Sequence, residues 1–480
     1  QKTAYDIPLR LVGSEMCIRD SNYTMQEMAE FAVGQHMPRL QKEFFEQNLT
    51  LDDSIAPFRE LTSGAVDTLL RISMRRSERW RKMKYDLKKK NEDIENSFFE
   101  PVNMTVFSWD GEIDTIMTPL DSMKYYKSFF RPGMMSMDPT NGHIKAWVGG
   151  MNYRHFQYDM VKKGKRQIGS TFKPFVYAAA IDQLKLSPCD TFPDSQFCIE
   201  KYKFGNMEQW CPKNSGDKYG RTRTLKNALA NSVNTVTARL MDRIGPETVV
   251  KLAKDLGIEQ RIPVVPSIAL GTPDLSVYEM VAAYSTFANK GVYSQPVFIE
   301  KIEDKNGTIL YKNQPITKDV LSEEAAYVTV NLLEGVTMAG SGTRLRTTGA
   351  DEYNRAYQNI VTGYPYEFTN PIAGKTGTTQ NQSDGWFIGM VPNLVTGVWV
   401  GAEDRAIHFE DIAYGQGASM ALPIWGVYMK SVYQDSTLMI SNEGFERPKK
   451  LSIKLDCNKF VADSVGSGKT TEQEILDIDF

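Results

Sequence analysis

The stretch Gly169-Ser170-Thr171-Phe172-Lys173-Pro174 decides the predicted fold of this 480-residue chain. Ser170 and Lys173 stand three residues apart, so on a helix their side chains share one face and lie within reach of each other. Pro174 is accepted only in the first turn of a helix, which places Ser170 at a helix N-terminus, where free N–H groups favour an oxyanion. A desolvated lysine can be neutral enough to deprotonate a serine. The stretch therefore predicts a nucleophilic serine, although Ser-x-x-Lys alone often arises by chance.

Two later patterns each allow a functional and a structural interpretation. In Ser232-Val233-Asn234, polar side chains fall within a predicted helix, where they compete for backbone partners and serve either as a cap or as a site. Lys375-Thr376-Gly377-Thr378-Thr379 follows Ile372-Ala373-Gly374 and is predicted to be a strand. Its lysine and hydroxyls could hold a carboxylate, or the strand could be an edge strand blunted by lysine and glycine.

Together the three patterns are far more specific than any one of them. The order Ser-x-x-Lys, Ser-x-Asn, Lys-Thr-Gly resembles that of the serine acyl-transferases that include penicillin-binding proteins and β-lactamases. Trp210-Cys211-Pro212-Lys213-Asn214 and Asp384-Gly385-Trp386-Phe387-Ile388-Gly389 look like segments of class A penicillin-binding proteins. This resemblance covers Pro132 to Lys430, and Asn22 to Phe129 resembles the connector before that domain.

The resemblance implies an α+β fold with helices flanking an antiparallel sheet, the serine β-lactamase and penicillin-binding-protein transpeptidase fold, preceded by a helical N-terminal connector. It implies a serine-type D-Ala-D-Ala transpeptidase of peptidoglycan that is trapped covalently by β-lactams. Ser170 would attack the penultimate D-alanine of a stem peptide, with Lys173 as its base. Ser232 would relay a proton to the leaving D-alanine, and Asn234 would hold the substrate backbone and Lys173.

The third motif is assigned to substrate binding and charge. By resemblance, Lys375 supplies positive potential, while Thr376 and Thr378, on either side of Gly377, bind the terminal carboxylate of the substrate or of a β-lactam. The oxyanion hole would be the backbone N–H groups of Ser170 and Thr378. The amine of a second stem peptide would then resolve the acyl-enzyme. The resemblance implies no cofactor.

Two other classes of function remain open. A β-lactamase or a DD-carboxypeptidase uses the same motifs but passes the acyl group to water. A class A β-lactamase would carry Glu-x-x-Leu-Asn between the second and third motifs, and Thr235 to Gly374 contains no such stretch. The other class is a non-catalytic β-lactam sensor, against which the three intact motifs argue.

Four ranges are predicted along the chain. Residues 1–21 resemble translated adapter sequence and are left out of the fold prediction, and residues 22–128 are predicted to be the helical connector, with Thr24 as N-cap and Glu27 completing a capping box. Residues 129–435 are predicted to be the transpeptidase domain, and residues 436–480 a tail or the start of another module.

The resemblance also bears on the parent protein. Class A proteins carry a membrane anchor and a glycosyltransferase domain before the connector, and neither is found here. We expect a transpeptidase fragment of a membrane-anchored protein that works in a cell-wall synthesis complex. Its place would be the periplasmic, extracytoplasmic face of the inner membrane.

Local patterns predict the elements of the domain. The strands are predicted at Gly133–Met137, His143–Val148, Ile372–Thr378, Gly385–Met390 and Val395–Val400, and the helices at Phe172–Leu184, Leu225–Ile244 and Ala421–Tyr433.

Composition excludes several other classes of function. A net charge of −3 gives no general attraction to nucleic acid, and the four histidines lack metal-ligand spacing. No apolar run is long enough to cross a membrane. Gly466 to Thr470 imitates a phosphate-binding loop, but Asp463 stands where that motif needs glycine. Cys198 and Cys211 could form a disulfide or remain buried thiols.

Overall fold

The computed structural model describes residues 16–19, 22–346 and 361–457. Its strands are β1 (Met16–Arg19), β2 (Val102–Val106), β3 (Ile113–Met117), β4 (Arg131–Met137), β5 (Ile144–Val148), β6 (Arg166–Gln167), β7 (Thr191–Pro193), β8 (Thr222–Thr224), β9 (Asp274–Leu275), β10 (Val292–Ser294), β11 (Ile299–Glu303), β12 (Ile309–Lys312), β13 (Thr317–Asp319), β14 (Ala373–Thr378), β15 (Asp384–Val391) and β16 (Leu394–Gly401).

The described residues also form α-helices, some of which follow one another directly along the chain. They are α1 (Tyr23–Asn48), α2 (Ser63–Arg76), α3 (Glu78–Arg81), α4 (Asn91–Asn96), α5 (Pro119–Lys127), α6 (Lys173–Leu184), α7 (Leu225–Ala230), α8 (Asn234–Ile244), α9 (Pro246–Asp255), α10 (Val277–Ala288), α11 (Glu323–Ala339), α12 (Ile412–Gly415), α13 (Gly417–Met420) and α14 (Leu422–Gln434).

A five-stranded antiparallel sheet, in the order β14-β15-β16-β4-β5, lies at the centre of the chain. It joins two early strands to three late ones, as the sequence predicted, and the architecture is the predicted α+β fold with helices on both faces. Because successive side chains of a strand point to opposite faces, Ile388 enters one hydrophobic cluster with α6, α10 and α11. Its neighbour Phe387 enters a second cluster with α1 and α14. The sheet is therefore covered twice, which explains its long apolar strands.

The first helix begins earlier than predicted. Asn22, not Thr24, is its N-cap, and the Asn22 side chain accepts a hydrogen bond from the Met25 N–H at 3.1 Å. Asn22 has extended backbone and is one of the strongest N-cap residues, so it displaces Thr24 into the first turn. The Gln26 side chain then caps the edge strand β5, because it accepts from the Trp147 N–H at 2.8 Å and donates to the Trp147 carbonyl at 2.9 Å.

Three segments outside the central domain contain structure that the sequence did not predict. The connector region is largely helical but includes the hairpin β2–β3. The strand β1, within the range left out of the fold prediction, pairs with β11. The segment up to residue 457 packs against the domain, where Ser187 Oγ donates to the Lys454 carbonyl at 2.6 Å and a disulfide joins Cys189 to Cys457.

A buried ion pair ties the strand before Ser170 to the sheet. Arg166 Nε donates to Asp384 Oδ1 at 2.7 Å, and the indole N–H of Trp399 donates to the same oxygen at 2.9 Å. Asp384 is fully buried, and the Arg166 side chain is 11% exposed. Since β6 leads directly into the turn that holds Ser170, this pair fixes that turn relative to β15.

We expect Asp384→Asn to lower the free energy of unfolding by about 3 kcal/mol, because it leaves a buried guanidinium without its counter-ion. Denaturant unfolding of the two proteins measures the difference. Asp411→Asn, at an exposed aspartate, is the matched control and should change little. A loss no larger than that of the control would show that the pair does not stabilise the fold.

Candidate active site

Ser170 lies in a tight turn that enters a buried helix. A 3₁₀ turn at Gly169–Phe172 continues into α6, and Pro174 occupies the first turn of α6, as its sequence position predicted. Gly169 has φ = 53°, and a Cβ there would lie 2.8 Å from the Thr378 carbonyl oxygen. A side chain at Gly271 would in turn collide with the Gly169 carbonyl. These glycines let the Ser170 turn lie directly against the end of β14.

Ser232 lies in a second tight turn, where the predicted helix 225–244 is interrupted. That prediction was wrong: α7 ends at Ala230 and α8 begins at Asn234. Ser232 has φ = 56°, a left-handed conformation that costs a non-glycine residue roughly 1 kcal/mol or more. The break directs both the carbonyl and the hydroxyl of Ser232 at Lys173, so the strained residue is part of the site.

Two lysines from distant parts of the chain converge on the Ser232 hydroxyl. Lys173 Nζ lies 3.1 Å from Ser232 Oγ, and Lys375 Nζ lies 3.0 Å from the same atom. Both lysines are fully buried. Within the described residues neither forms an ion pair with a carboxylate. The cluster is therefore a buried positive site whose counter-charge is not supplied by the described part of the chain.

Burial changes the ionisation of both lysines. Loss of water lowers the pKa of Lys375 to about 7. The same desolvation, followed by repulsion from Lys375, holds the pKa of Lys173 well below its ordinary value. Both shifts favour the neutral amine more than in a free lysine, and repulsion from Lys375 acts on Lys173 in addition to burial.

Asn234 completes the contacts of Lys173. Asn234 Oδ1 accepts from Lys173 Nζ at 2.6 Å, and Asn234 Nδ2 donates to the Lys213 carbonyl at 2.6 Å. Since the amide carries two N–H groups, one remains for another acceptor. Among the described residues, Ser170 Oγ makes no hydrogen bond with Lys173 Nζ. The structure thus joins Lys173, Ser232, Asn234 and Lys375 directly, while Ser170 stands one helical turn before Lys173.

The remaining predicted residues lie along β14. Thr376 and Thr378 share one face of this strand, and Gly377 packs against the Ser170 turn, where a Cβ would meet the Ile168 carbonyl oxygen at 2.8 Å. The Thr378 hydroxyl accepts from the Gly417 N–H at 3.0 Å.

Ser341 is a site neighbour that sequence reasoning missed. Its hydroxyl lies 2.5 Å from that of Thr376, and its N–H donates to the Ala230 carbonyl at 3.1 Å. Ser341 follows α11 in a segment without a distinctive motif. Only the tertiary packing of α11 against α7 and β14 brings it to the site.

The described residues were also compared with the requirements of a metal site and of a membrane span. No group of three or more His, Cys, Asp or Glu side chains in the described ranges could hold a metal ion. Across those same residues, no helix combines the length and the apolar character that crossing a membrane requires.

Known proteins resemble this chain in both sequence and fold. Residues 53–130 match the model of the penicillin-binding protein middle domain. Penicillin-binding protein 1A of Aquifex aeolicus is 36% identical over 318 residues, which cover 66% of this chain and 39% of that protein. Penicillin-binding protein 2D of Bacillus subtilis is 33% identical over 301 residues, which cover 62% of this chain and 40% of that protein. The chain thus spans less than half the length of these relatives.

Two solved structures share the fold at low sequence identity. The structure of penicillin-binding protein 1A from Haemophilus influenzae superposes with a TM-score of 0.60 at 20% identity, covering 92% of this chain and 68% of the other. The structure of the penicillin-binding protein PonA1 from Mycobacterium tuberculosis superposes with a TM-score of 0.59 at 19% sequence identity, covering 94% of this chain and 92% of the other. They confirm the predicted fold class. Residues 133–403 match the model of the penicillin-binding protein transpeptidase domain, and this match covers more than half of the chain, which therefore belongs to the penicillin-binding protein transpeptidase family.

Proposed function

We propose that this chain is a peptidoglycan DD-transpeptidase, which transfers an acyl group from a D-Ala-D-Ala stem peptide to the amine of a second stem peptide and is acylated by β-lactams. One observation carries the proposal: two fully buried lysines without a carboxylate partner in the described residues converge on one serine hydroxyl. Such a cluster suits a substrate that brings its own carboxylate and an acid–base reaction that moves protons between neighbouring groups.

Ser170 is the proposed nucleophile and Lys173 its base. In the first step, the neutral amine of Lys173 accepts the proton of Ser170 Oγ while this oxygen bonds to the carbonyl carbon of the penultimate D-alanine. The low pKa of Lys173 supports this role because a protonated lysine could not accept a proton. The missing hydrogen bond between the two side chains does not argue against the pair, since catalytic contacts often tighten only when substrate binds.

Ser232 is the proposed relay to the leaving group. When the tetrahedral intermediate collapses, the bond to the terminal D-alanine breaks and its nitrogen needs a proton. Lys173 Nζ donates to the Ser232 hydroxyl at 3.1 Å, so the proton can pass from Lys173 through Ser232 to that nitrogen. In the second step the path reverses. The acceptor amine gives up a proton to Lys173 through Ser232 as its nitrogen bonds to the acyl carbon, then the bond between that carbon and Ser170 Oγ breaks and Ser170 Oγ takes the proton from Lys173.

The third motif is the proposed carboxylate site. Lys375 is the buried positive charge on β14, and Thr376 and Thr378 present hydroxyls on one strand face. A charge-assisted hydrogen bond to a carboxylate is about twice as strong as a neutral one. The N–H groups of Ser170 and Thr378 are the proposed oxyanion hole, and the close approach of the Gly169 turn to Thr378 supports their convergence.

The cellular setting is proposed from the family and from the disulfides. The pairs Cys198–Cys211 and Cys189–Cys457 suit an oxidising compartment such as the periplasm. We infer that the protein works on the extracytoplasmic face of the inner membrane and that its parent is membrane-anchored within a cell-wall synthesis complex. The ligands are stem peptides and β-lactams.

The test is an acyl-transfer assay with a D-Ala-D-Ala stem peptide as donor and an amine-bearing stem peptide as acceptor. Mass spectrometry follows the cross-linked dimer, the hydrolysed donor and the released D-alanine. We expect the dimer to form with equal release of D-alanine. Hydrolysed donor alone would instead indicate a DD-carboxypeptidase. Rapid hydrolysis of penicillin would indicate a β-lactamase. A stable penicillin adduct without D-alanine release would indicate a sensor.

A further inference from the structure

The helix that carries Asn234 lacks a cap from its own flanking residues. Val233 occupies the N-cap position of α8 and has no polar side chain. Instead Oδ1 of Asn214, twenty residues earlier, accepts from the backbone N–H groups of Asn234 at 2.9 Å and Thr235 at 3.2 Å. Uncapped N–H groups at a helix start need such an acceptor. A distant loop therefore supplies the cap at the point where the site begins.

The residue next to Asn214 fixes the side chain of Asn234. The Lys213 carbonyl accepts from Asn234 Nδ2 at 2.6 Å. A carbonyl oxygen can only accept, so the nitrogen end of the Asn234 amide must face Lys213 and the oxygen end must face Lys173. Lys213 thus holds the side-chain amide of Asn234, and Asn214 holds its backbone N–H. Together they ensure that Lys173 meets the amide oxygen of Asn234.

A buried carboxylate holds Asn214 in turn. Asp194 is fully buried, and its Oδ1 accepts from Asn214 Nδ2 at 2.7 Å and from Thr235 Oγ1 at 2.7 Å. Its Oδ2 accepts from Arg223 Nε at 2.6 Å and from the Gly220 N–H at 3.0 Å. The Asp194 carboxylate thus accepts from all four of these donors. The orientation of Asn214 is therefore set by a charged group that is itself held by other hydrogen bonds.

The loop that carries Asn214 is closed covalently. A disulfide joins Cys198 to Cys211, and Ile199 and Trp210 exchange backbone hydrogen bonds of 2.9 and 3.0 Å just inside it. Only two residues separate Cys211 from Asn214. The closed loop therefore limits how far Asn214 can move from α8.

We propose that Asn214, held by Asp194, is a positioning residue that acts on acylation through Asn234. The inference rests on the proposed function, because it assigns to Asn234 a role in that reaction. Without Asn214, the start of α8 and the Asn234 amide lose their fixed orientation, and Lys173 loses the acceptor that favours its protonated form. Small displacements of a catalytic group can lower a rate by about 100-fold.

A double-mutant cycle tests whether Asn214 acts through Asn234. The second-order rate constant for acylation by a fluorescent penicillin is measured for the wild type, Asn214→Ala, Asn234→Ala and the double variant. We expect Asn214→Ala to slow acylation by about 10- to 100-fold, and the double variant to be no slower than Asn234→Ala alone. Multiplied effects in the double variant would overturn the proposal.

Asn206→Ala is the matched control for a general loosening of the loop. Asn206 lies in the same disulfide-closed hairpin, where it donates to the Glu200 and Glu208 carbonyls and accepts from the Phe204 N–H, so its side-chain hydrogen bonds stay within the hairpin. We expect this variant to acylate close to the wild-type rate. A loss equal to that of Asn214→Ala would overturn the proposal.

Two further readouts separate positioning from folding. Asn214→Ser keeps a hydroxyl that can accept from α8, so it is expected to recover part of the acylation rate that Asn214→Ala loses. Asn214→Ala should also shift the rising limb of the acylation pH profile to lower pH, because Lys173 loses an acceptor that favours its charged form. An unmoved limb together with no recovery would count against positioning. If the wild type itself is not acylated, the proposed function fails. If the wild type is acylated and Asn214→Ala is acylated at the same rate, the inference about Asn214 fails.

Discussion

Ser170→Ala is expected to abolish covalent labelling by a fluorescent penicillin, because it removes the hydroxyl oxygen that we propose forms the acyl bond. The wild type should gain the mass of one drug molecule per chain, and the variant none. The Ser170 hydroxyl makes no hydrogen bond to Lys173 in the structure, so the variant should fold normally. It should also retain the cluster formed by Lys173, Ser232, Asn234 and Lys375. Intact-mass spectrometry and a denaturing gel measure adduct formation.

Two serine controls locate the nucleophile. Ser195→Ala, at a serine that accepts a hydrogen bond from Arg239 outside the lysine cluster, should label like the wild type. Ser232→Ala removes the proposed relay but keeps the nucleophile, so it should still label, at a lower rate. If Ser170→Ala is labelled while Ser232→Ala is not, the assignment of nucleophile and relay must be exchanged.

The composition of the strands was enough to predict the sheet, and the short motifs were enough to name the residues that lie together around Ser232. Apolar runs such as Gly385–Met390 are characteristic of a strand covered on both faces, and Lys375 sits on the predicted strand. Motif order also places together residues that are far apart in the chain. Lys173 and Lys375 reach the same hydroxyl, which no local pattern could show.

What the sequence did not predict depends on tertiary contacts. The break at Ser232 requires a left-handed backbone at a non-glycine residue, which local preferences disfavour and the surrounding contacts must stabilise. Ser341 and Asn214 reach the site through packing and through a loop closed by Cys198 and Cys211, whose pairing the sequence left open. The pairing of Cys189 with Cys457 spans 268 residues and had no local signal.

Lys173→Met is expected to slow acylation by about 1,000-fold, the usual range for loss of a general base. Methionine keeps most of the volume of the buried side chain, so packing is little changed. Lys173→Arg should be equally slow, because a guanidinium stays protonated and cannot accept the Ser170 proton. Stopped-flow acylation measures both. Lys163→Met, at an exposed lysine before the same turn, is the control and should retain the wild-type rate.

The pH dependence of acylation separates the proposed role of Lys173 as base from that of Lys375 as the charge that attracts the carboxylate. The rate should rise with pH as Lys173 loses its proton, and this limb should lie well below the ordinary lysine range because burial and the charge of Lys375 lower the pKa of Lys173. It should fall again above about pH 7, where Lys375, whose pKa burial lowers to about 7, loses the charge that attracts the carboxylate. Lys375→Met should remove the falling limb. It should also move the rising limb to higher pH, since the repulsion that lowers the pKa of Lys173 is gone. A rising limb that stays in place in Lys375→Met would show that the two lysines are not electrostatically coupled, and Lys173 would then owe its low pKa to burial alone.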